Sequence, residues 1–547
     1  LASSITVNGV DCVWSLGSAL NIGSGVLTLT NGTFDAVTYA LAFGTLSSEN
    51  TNSRNIKFGT GTTSISSNVS FGSSESVAAD LTVDGGSSQI NMTGLFPNFT
   101  GNGKTYYDLS FTSTSNIASA VIVGNNTFRN LSFAAISGTE GIKDCRINGN
   151  QTVTGTLTYS AGADATRRHF VRSDTIGTTR TLTCAAVSLT DVDFRDITVA
   201  GAAAPATGTR LGDCKGNSGV TFTAAANKYW NLAVGGNWTA TGWATSSGGT
   251  PALNNFPLAQ DTCFFEATGL NSGATITVNS AFNIGTVNMS ARTTNTMTFA
   301  TGSFSFSIYG SWINGTGTTI SGTGTLTFTG RGSQQITSAG KTWTQRFDIA
   351  TPGGSVTLQD SFTASLSSTS VLTISSGTFN ASTYNVSLTG AGSAVSSTNT
   401  NTRTIGIGSG TWTIAGSTGW DASTSTNLTI TGTGTLSFTS ASAKTFNGGS
   451  VSYSGITLNQ GGAGTLTING SNAFADITNT YKATGATTIN FGTTTQTVGA
   501  FTAAGEAGRL LTLTGTSATS PCTLVHSGTG NVAANGDYFV ITGVRAY

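Results

Sequence analysis

The chain has 547 residues, 72 of them glycine and about 100 threonine, yet only 8 % are charged and 23 acids balance 23 bases. That balance leaves no basic field for nucleic acid or anionic lipid. Six prolines exclude collagen, and 37 % hydrophobic content with 29 Phe excludes charge-driven disorder. No apolar run approaches the ~18 residues of a membrane helix, so no membrane insertion is expected.

The first residues, Leu1-Ala2-Ser3-Ser4, carry no Met and no basic–apolar leader, and read as the start of a processed or partial product. Period-two alternation runs through nearly the whole chain. In 324–330, Leu326 and Phe328 fall on one face and Thr325, Thr327 and Thr329 on the other. Threonine suits such strands because its branched Cβ favours extended backbone while its hydroxyl tolerates water. Strands of about 4–7 residues alternate with Gly, Asn or Ser turns every ~8–12 residues. The expected class is all-β.

The chain also repeats itself. Leu27-Thr-Leu-Thr-Asn-Gly-Thr-Phe-Asp-Ala-Val-Thr-Tyr39 returns as Leu372-Thr-Ile-Ser-Ser-Gly-Thr-Phe-Asn-Ala-Ser-Thr-Tyr384. Asn50-Thr-Asn-Ser-Arg54 returns as Asn399-Thr-Asn-Thr-Arg403, Gly124–Phe128 as Gly470–Phe474, and Gln151-Thr-Val153 as Gln496-Thr-Val498. Asp193-Phe194 aligns with Asp537-Tyr538 at an offset of 344. A partial copy, Gly322–Thr329, resembles Gly432–Thr439. Strand–turn repeats that cannot bury their own apolar face gain stability by stacking on neighbours. The leading fold is therefore a repetitive β-solenoid (a parallel β-helix), with tandem β-sandwich modules as the alternative. The expected division is a first β-repeat module over 1–204, a Trp- and Pro-containing insert or junction over 205–290, a partial repeat over 291–354, and a second β-repeat module over 355–547.

Six cysteines without a C-x-x-C fit single buried thiols better than zinc or redox motifs, although three disulfides remain an option. In the 205–290 segment, Tyr229, Trp230, Trp238 and Trp243 form either an aromatic plug or a platform on which a sugar ring stacks.

The Ser-Gly-Thr-Phe-(Asp/Asn)-Ala-x-Thr-Tyr unit, the Asn-Thr-Asn-x-Arg turn and the Gly-Asn-Trp…Trp…Pro…Asp segment resemble repeats of Gly/Thr-rich β-helical phage fibre and virion structural proteins. They are also similar to extracellular bacterial β-helix adhesins. The resemblance implies a subunit at the virion surface or outside the cell that attaches to a host-surface glycan or receptor. It also implies contacts with other virion or filament subunits and a homo-oligomer, often a trimer. No coiled-coil stem accompanies these motifs, and the resemblance supplies no catalytic residue.

Catalytic motifs are sparse. The two histidines, His169 and His526, lie far apart, and His169 sits in what reads as a solvated polar loop beside Arg167 and Arg168. No nucleophile elbow, zinc-protease helix or P-loop is present. The densest acidic segment holds Asp191, Asp193 and Asp196, of which Asp191 and Asp193 share a strand face. Such acids suit a Ca²⁺ site, the paired acids of a glycan hydrolase, or a solvated turn. At the offset of 344, Asn535, Asp537 and Val540 stand in their places. The sequence thus points to a non-enzymatic attachment fibre, with a secreted adhesin or filament subunit and a polysaccharide depolymerase as alternatives. No cofactor is expected beyond that Ca²⁺.

Overall fold

The computed structural model describes residues 4–366, 370–389, 394–417, 419–482, 487–516, 519–528 and 538–547. It is all-β, with 51 % strand and 1 % helix, and forms a parallel β-solenoid of about 22 turns. Two compact units emerge. One comprises 1–226 with 251–261 and 280–283; the other comprises 227–250, 262–279 and 284–547.

In the first unit a nine-stranded and a twelve-stranded parallel sheet carry the rungs. Register places like on like. Ile90, Leu109, Leu131 and Leu157 form one inward row, each 1 % exposed or less. Phe111, Phe133 and Tyr159 form another, their parallel rings 4.8 and 4.5 Å apart, which is the rung spacing itself. Outward, Asn91, Ser110, Ser132, Thr158 and Ser188 line up as a row of amides and hydroxyls. Parallel stacking of short one-faced strands buries the inward apolar side chains against the rungs before and after them. Facing sandwich sheets would require antiparallel hairpins instead.

The second unit is built likewise. Pairing is parallel along it, with an antiparallel pair, Asn227–Trp230 with Trp243–Ala244, near its start. Leu326 and Phe328 point inward and Thr325 and Thr327 outward, as the alternation predicts. Thr329 departs from it: the strand ends at Phe328, and Thr329 lies buried in the following turn.

The duplicated motifs have a common physical basis. Asn50 Nδ2 donates to Leu29 O (3.3 Å), and Asn50 Oδ1 accepts from Asn52 N (3.0 Å). Asn399 repeats both bonds, to Ile374 O (3.3 Å) and from Asn401 N (2.9 Å). Arg54 and Arg403 are buried, and each guanidinium donates to backbone carbonyls of its own and the next turn. Burial lowers both arginine pKa values. The turn residues 51–53 and 400–402 are exposed, while the buried arginine beneath them must place its five planar donors, and the surrounding carbonyls accept them. Asn126 with Gln151 and Asn472 with Gln496 form a second matched pair, their amides joined at 3.1 and 3.2 Å.

The unit boundaries differ from the expected division. The first unit runs past 204 to 226 and takes in two later segments. The boundary expected after 354 falls inside the strand Arg346–Leu358, whose two halves pair with two consecutive strands of the preceding rung. Among the described residues no disulfide joins the six cysteines; Cys12 is exposed and the others are buried.

Candidate functional site

The aromatic cluster is core and not a platform. Trp230, Trp238 and Trp243 are 1 %, 0 % and 1 % exposed. Trp243 meets Trp230 and Trp238 edge to face, and Phe265 packs against all three. A sugar ring needs an open aromatic face, and these indoles have none. Tyr229 is half-buried, with one face stacked on Phe264 at 5.1 Å.

The acids at 191–196 are likewise occupied. Asp191 and Asp196 sit at corners with φ of 57°, a conformation that Asp tolerates better than most residues. Asp191 stands at the corner before the strand Val192–Arg195, so the two acids do not share a strand face as the spacing suggests; both carboxylates instead meet one arginine. Arg168 Nε and Nη2 donate to Asp193 Oδ1 (3.0 and 2.6 Å), and Arg168 Nη1 to Asp191 Oδ1 (3.3 Å). Arg210 adds a two-pronged bond to Asp191, 2.6 Å on each prong. Asn283 Nδ2 donates to Asp193 Oδ2 at 3.0 Å. A Cβ on residue 212 would come within 2.0 Å of Asp193 Oδ1, so glycine is needed beside this carboxylate. Burial opposes the charge of Arg168, but Asp193 and Asp191 outweigh it and hold its pKa above the ordinary range. Asp196 Oδ2 accepts from Gly177 N (2.9 Å) and lies 3.6 Å from Arg195 Nε. Among the described residues no group of three acid, His or Cys side chains is placed to hold a metal ion. The expected Ca²⁺ site is therefore corrected to a buried ion-pair network, since guanidinium groups already supply the positive charge. The same contacts rule out a solvated turn and leave no water-accessible pair of facing acids here.

Pairing register also revises the sequence equivalence. Phe539–Thr542 stacks in the second unit as Val192–Arg195 does in the first, an offset of 347. Tyr538 then stands for Asp191 and Gly543 for Asp196, and all four residues have positive φ. Val540 stands for Asp193. Asn535 and Asp537 lie outside the described residues. The corner shape is repeated, but the carboxylates are not.

Next to this network the outward face of the first unit carries arginines. Arg146, Arg172 and Arg195 occupy one row of three successive parallel strands, Gly141–Asn148, Arg167–Ser173 and Val192–Arg195. Asp144 accepts from Arg146 Nε (2.8 Å) and, through both oxygens, from Arg172 (2.7 and 2.9 Å). Burial alone would raise the pKa of Asp144, but Arg172 and Arg146 hold it below the usual carboxylate range. Phe170 lies between the upper two arginines, its ring centre 5.6 Å from Arg172 Cζ and 5.3 Å from Arg195 Cζ. Composition held a signal for this face: seven of the fifteen arginines fall between 146 and 210.

His169 points inward and is buried, contrary to the solvated loop expected for it, because it alternates with Arg168 on a strand paired on both edges. It donates Nε2–H to Ser160 O (2.9 Å), and burial pushes its pKa down to about 4. An unfolded chain keeps an ordinary histidine of pKa ~6.5. Between these values the unfolded chain binds a proton that the folded chain refuses. Stability is thus complete above pH ~6.5 and is lost as pH falls toward 4. The loss at pH ~4.5 should be roughly 2–3 kcal/mol. Urea unfolding at pH ~7 and ~4.5 is expected to show a smaller acid loss for His169→Gln than for the parent; equal losses would exclude histidine as the source.

No family model, curated protein or solved structure matches the chain. No helix among the described residues is long and apolar enough to cross a membrane.

Proposed function

We propose that this chain is a structural fibre or surface subunit that attaches a phage virion, or the cell that secretes it, to a host surface through glycans. It works in a homo-oligomer beside other subunits of the same particle, at the virion surface or outside the cell, and does no chemistry on what it holds. One observation carries the reading: the outward rows of amides and hydroxyls, such as Asn91, Ser110, Ser132, Thr158 and Ser188, recur rung after rung in fixed register. Each group offers a weak hydrogen bond to a sugar hydroxyl. Many at regular spacing, multiplied by oligomerisation, give avidity without a deep pocket. The inward aromatic and aliphatic rows keep that surface from rearranging.

The labelled intact chain should bind cells of a susceptible bacterium saturably, and periodate oxidation of their surface glycans should abolish binding. Binding to no cell in a broad panel, or binding untouched by periodate, would overturn the reading. Release of reducing ends from surface polysaccharide would replace it with a depolymerase.

A further inference from the structure

We propose that the row Arg146, Arg172 and Arg195 binds the carboxylate or sulfate groups of a linear acidic polysaccharide lying across the strands. This rests on the glycan-attachment reading and names the class of glycan. The three arginines stand on adjacent rungs and span about 10 Å, close to the length of a disaccharide. Like charges on neighbouring rungs repel, so a row of them carries a cost that the fold does not require. The second unit makes this plain. Its equivalent strands Thr487–Asn490, Leu511–Thr514 and Phe539–Thr542 pair in the same way, and the matching row reads Asn490, Thr514 and Thr542. The same rungs stack without a single charge there.

The donors of the row are only partly used. Arg146 spends Nε on Asp144, and Arg172 spends Nε and Nη2. Among the described residues the remaining guanidinium nitrogens of both have no hydrogen-bond acceptor. Arg195 is the sharper case. Its side chain is only 10 % exposed, and its buried Nε has no hydrogen bond, Asp196 standing off at 3.6 Å. Its two Nη nitrogens, which are not sealed from solvent as Nε is, donate to no acceptor among the described residues and are left for an incoming anion. Arg172 is 19 % and Arg146 43 % exposed, so the row grades from a buried anchor to an open end. Phe170 holds the upper guanidinium groups by cation–π contact, and planar forks held this way match carboxylate or sulfate oxygens in pairs. With Asp144 and Asp196 the five charges sum to +1. That favours a polymer carrying spaced anions over nucleic acid, which calls for a broad basic field.

The intact chain is tested on immobilised polygalacturonate, dextran sulfate and uncharged dextran, with single-stranded DNA as a further arm. Binding to one or both acidic polysaccharides and not to dextran is expected, weakening steeply between ~0.05 and ~0.5 M NaCl. The triple variant Arg146→Asn, Arg172→Thr, Arg195→Thr, which copies the second unit, should bind at least about tenfold more weakly. Arg146→Asn alone, at the exposed end, should weaken binding about threefold and leave the melting temperature unchanged. Unaltered binding by Arg146→Asn and by a folded triple variant would overturn the assignment. So would DNA binding as tight as polysaccharide binding. If the chain binds cells through periodate-sensitive glycans but neither acidic polymer, this inference falls and the attachment reading stands. If it binds no glycan and no cell, both fall.

Discussion

Replacing Arg168 with methionine is expected to lower the unfolding free energy by about 3–5 kcal/mol, because it strips the guanidinium from buried carboxylates. Asp193 would keep one amide donor, Asn283, and no cation within bonding distance. Asp191 would keep Arg210, so Asp193 carries most of the penalty. The control is the double variant Arg168→Met, Asp193→Asn. Neutralising the abandoned acid should recover at least half of the loss, and that non-additivity identifies an ion pair and not lost packing. Urea denaturation at pH ~7 measures all three chains. A loss below about 1 kcal/mol for Arg168→Met, or strictly additive effects, would sink the account of this network as charges that must neutralise one another.

Trp243→Ala should cost a similar amount, about 3–5 kcal/mol, by opening a cavity among Trp230, Trp238 and Phe265. The phenylalanine variants are more discriminating. Trp243 Nε1 donates to Trp238 O at 2.9 Å, whereas Trp238 Nε1 is buried with no partner among the described residues. Trp243→Phe therefore leaves a carbonyl without its donor, and Trp238→Phe removes an unsatisfied group. Trp238→Phe should be the milder of the two, read from the same denaturation curves. Neither should change glycan binding, since neither indole reaches the surface. A selective loss of binding in a fully stable Trp243→Phe variant would restore the stacking platform.

Much of the architecture could be read before any coordinate. Alternation of apolar residues with threonine, interrupted by Gly and Asn turns, implies one-faced strands, and repeated strand–turn units favour stacking on neighbours over tandem sandwiches. The Asn-Thr-Asn-x-Arg repeat was visible as a string, and its bonding explains why it recurs: both copies close the same turn over a buried arginine. What the residues did to one another was far less legible. Asp191, Asp193 and Asp196 suited a cation site, paired acids or a solvated turn, because their spacing shows no partner; Arg168, 23 positions away from Asp191, lies beside them. Plug and platform were both open for the tryptophans, because aromatic content says nothing about which face meets water.

By itself, then, the sequence determined the all-β class, the inward and outward faces of the strands and the repetition, with the solenoid as the leading architecture, because these follow from local periodicity. Only the tertiary structure decided that the acids are neutralised, that the indoles and His169 are interior, and that Arg146, Arg172 and Arg195 share a row. The physical reason is register. Parallel stacking brings together residues about 23–26 positions apart, and a shift of one or two residues in a turn changes which side chains meet.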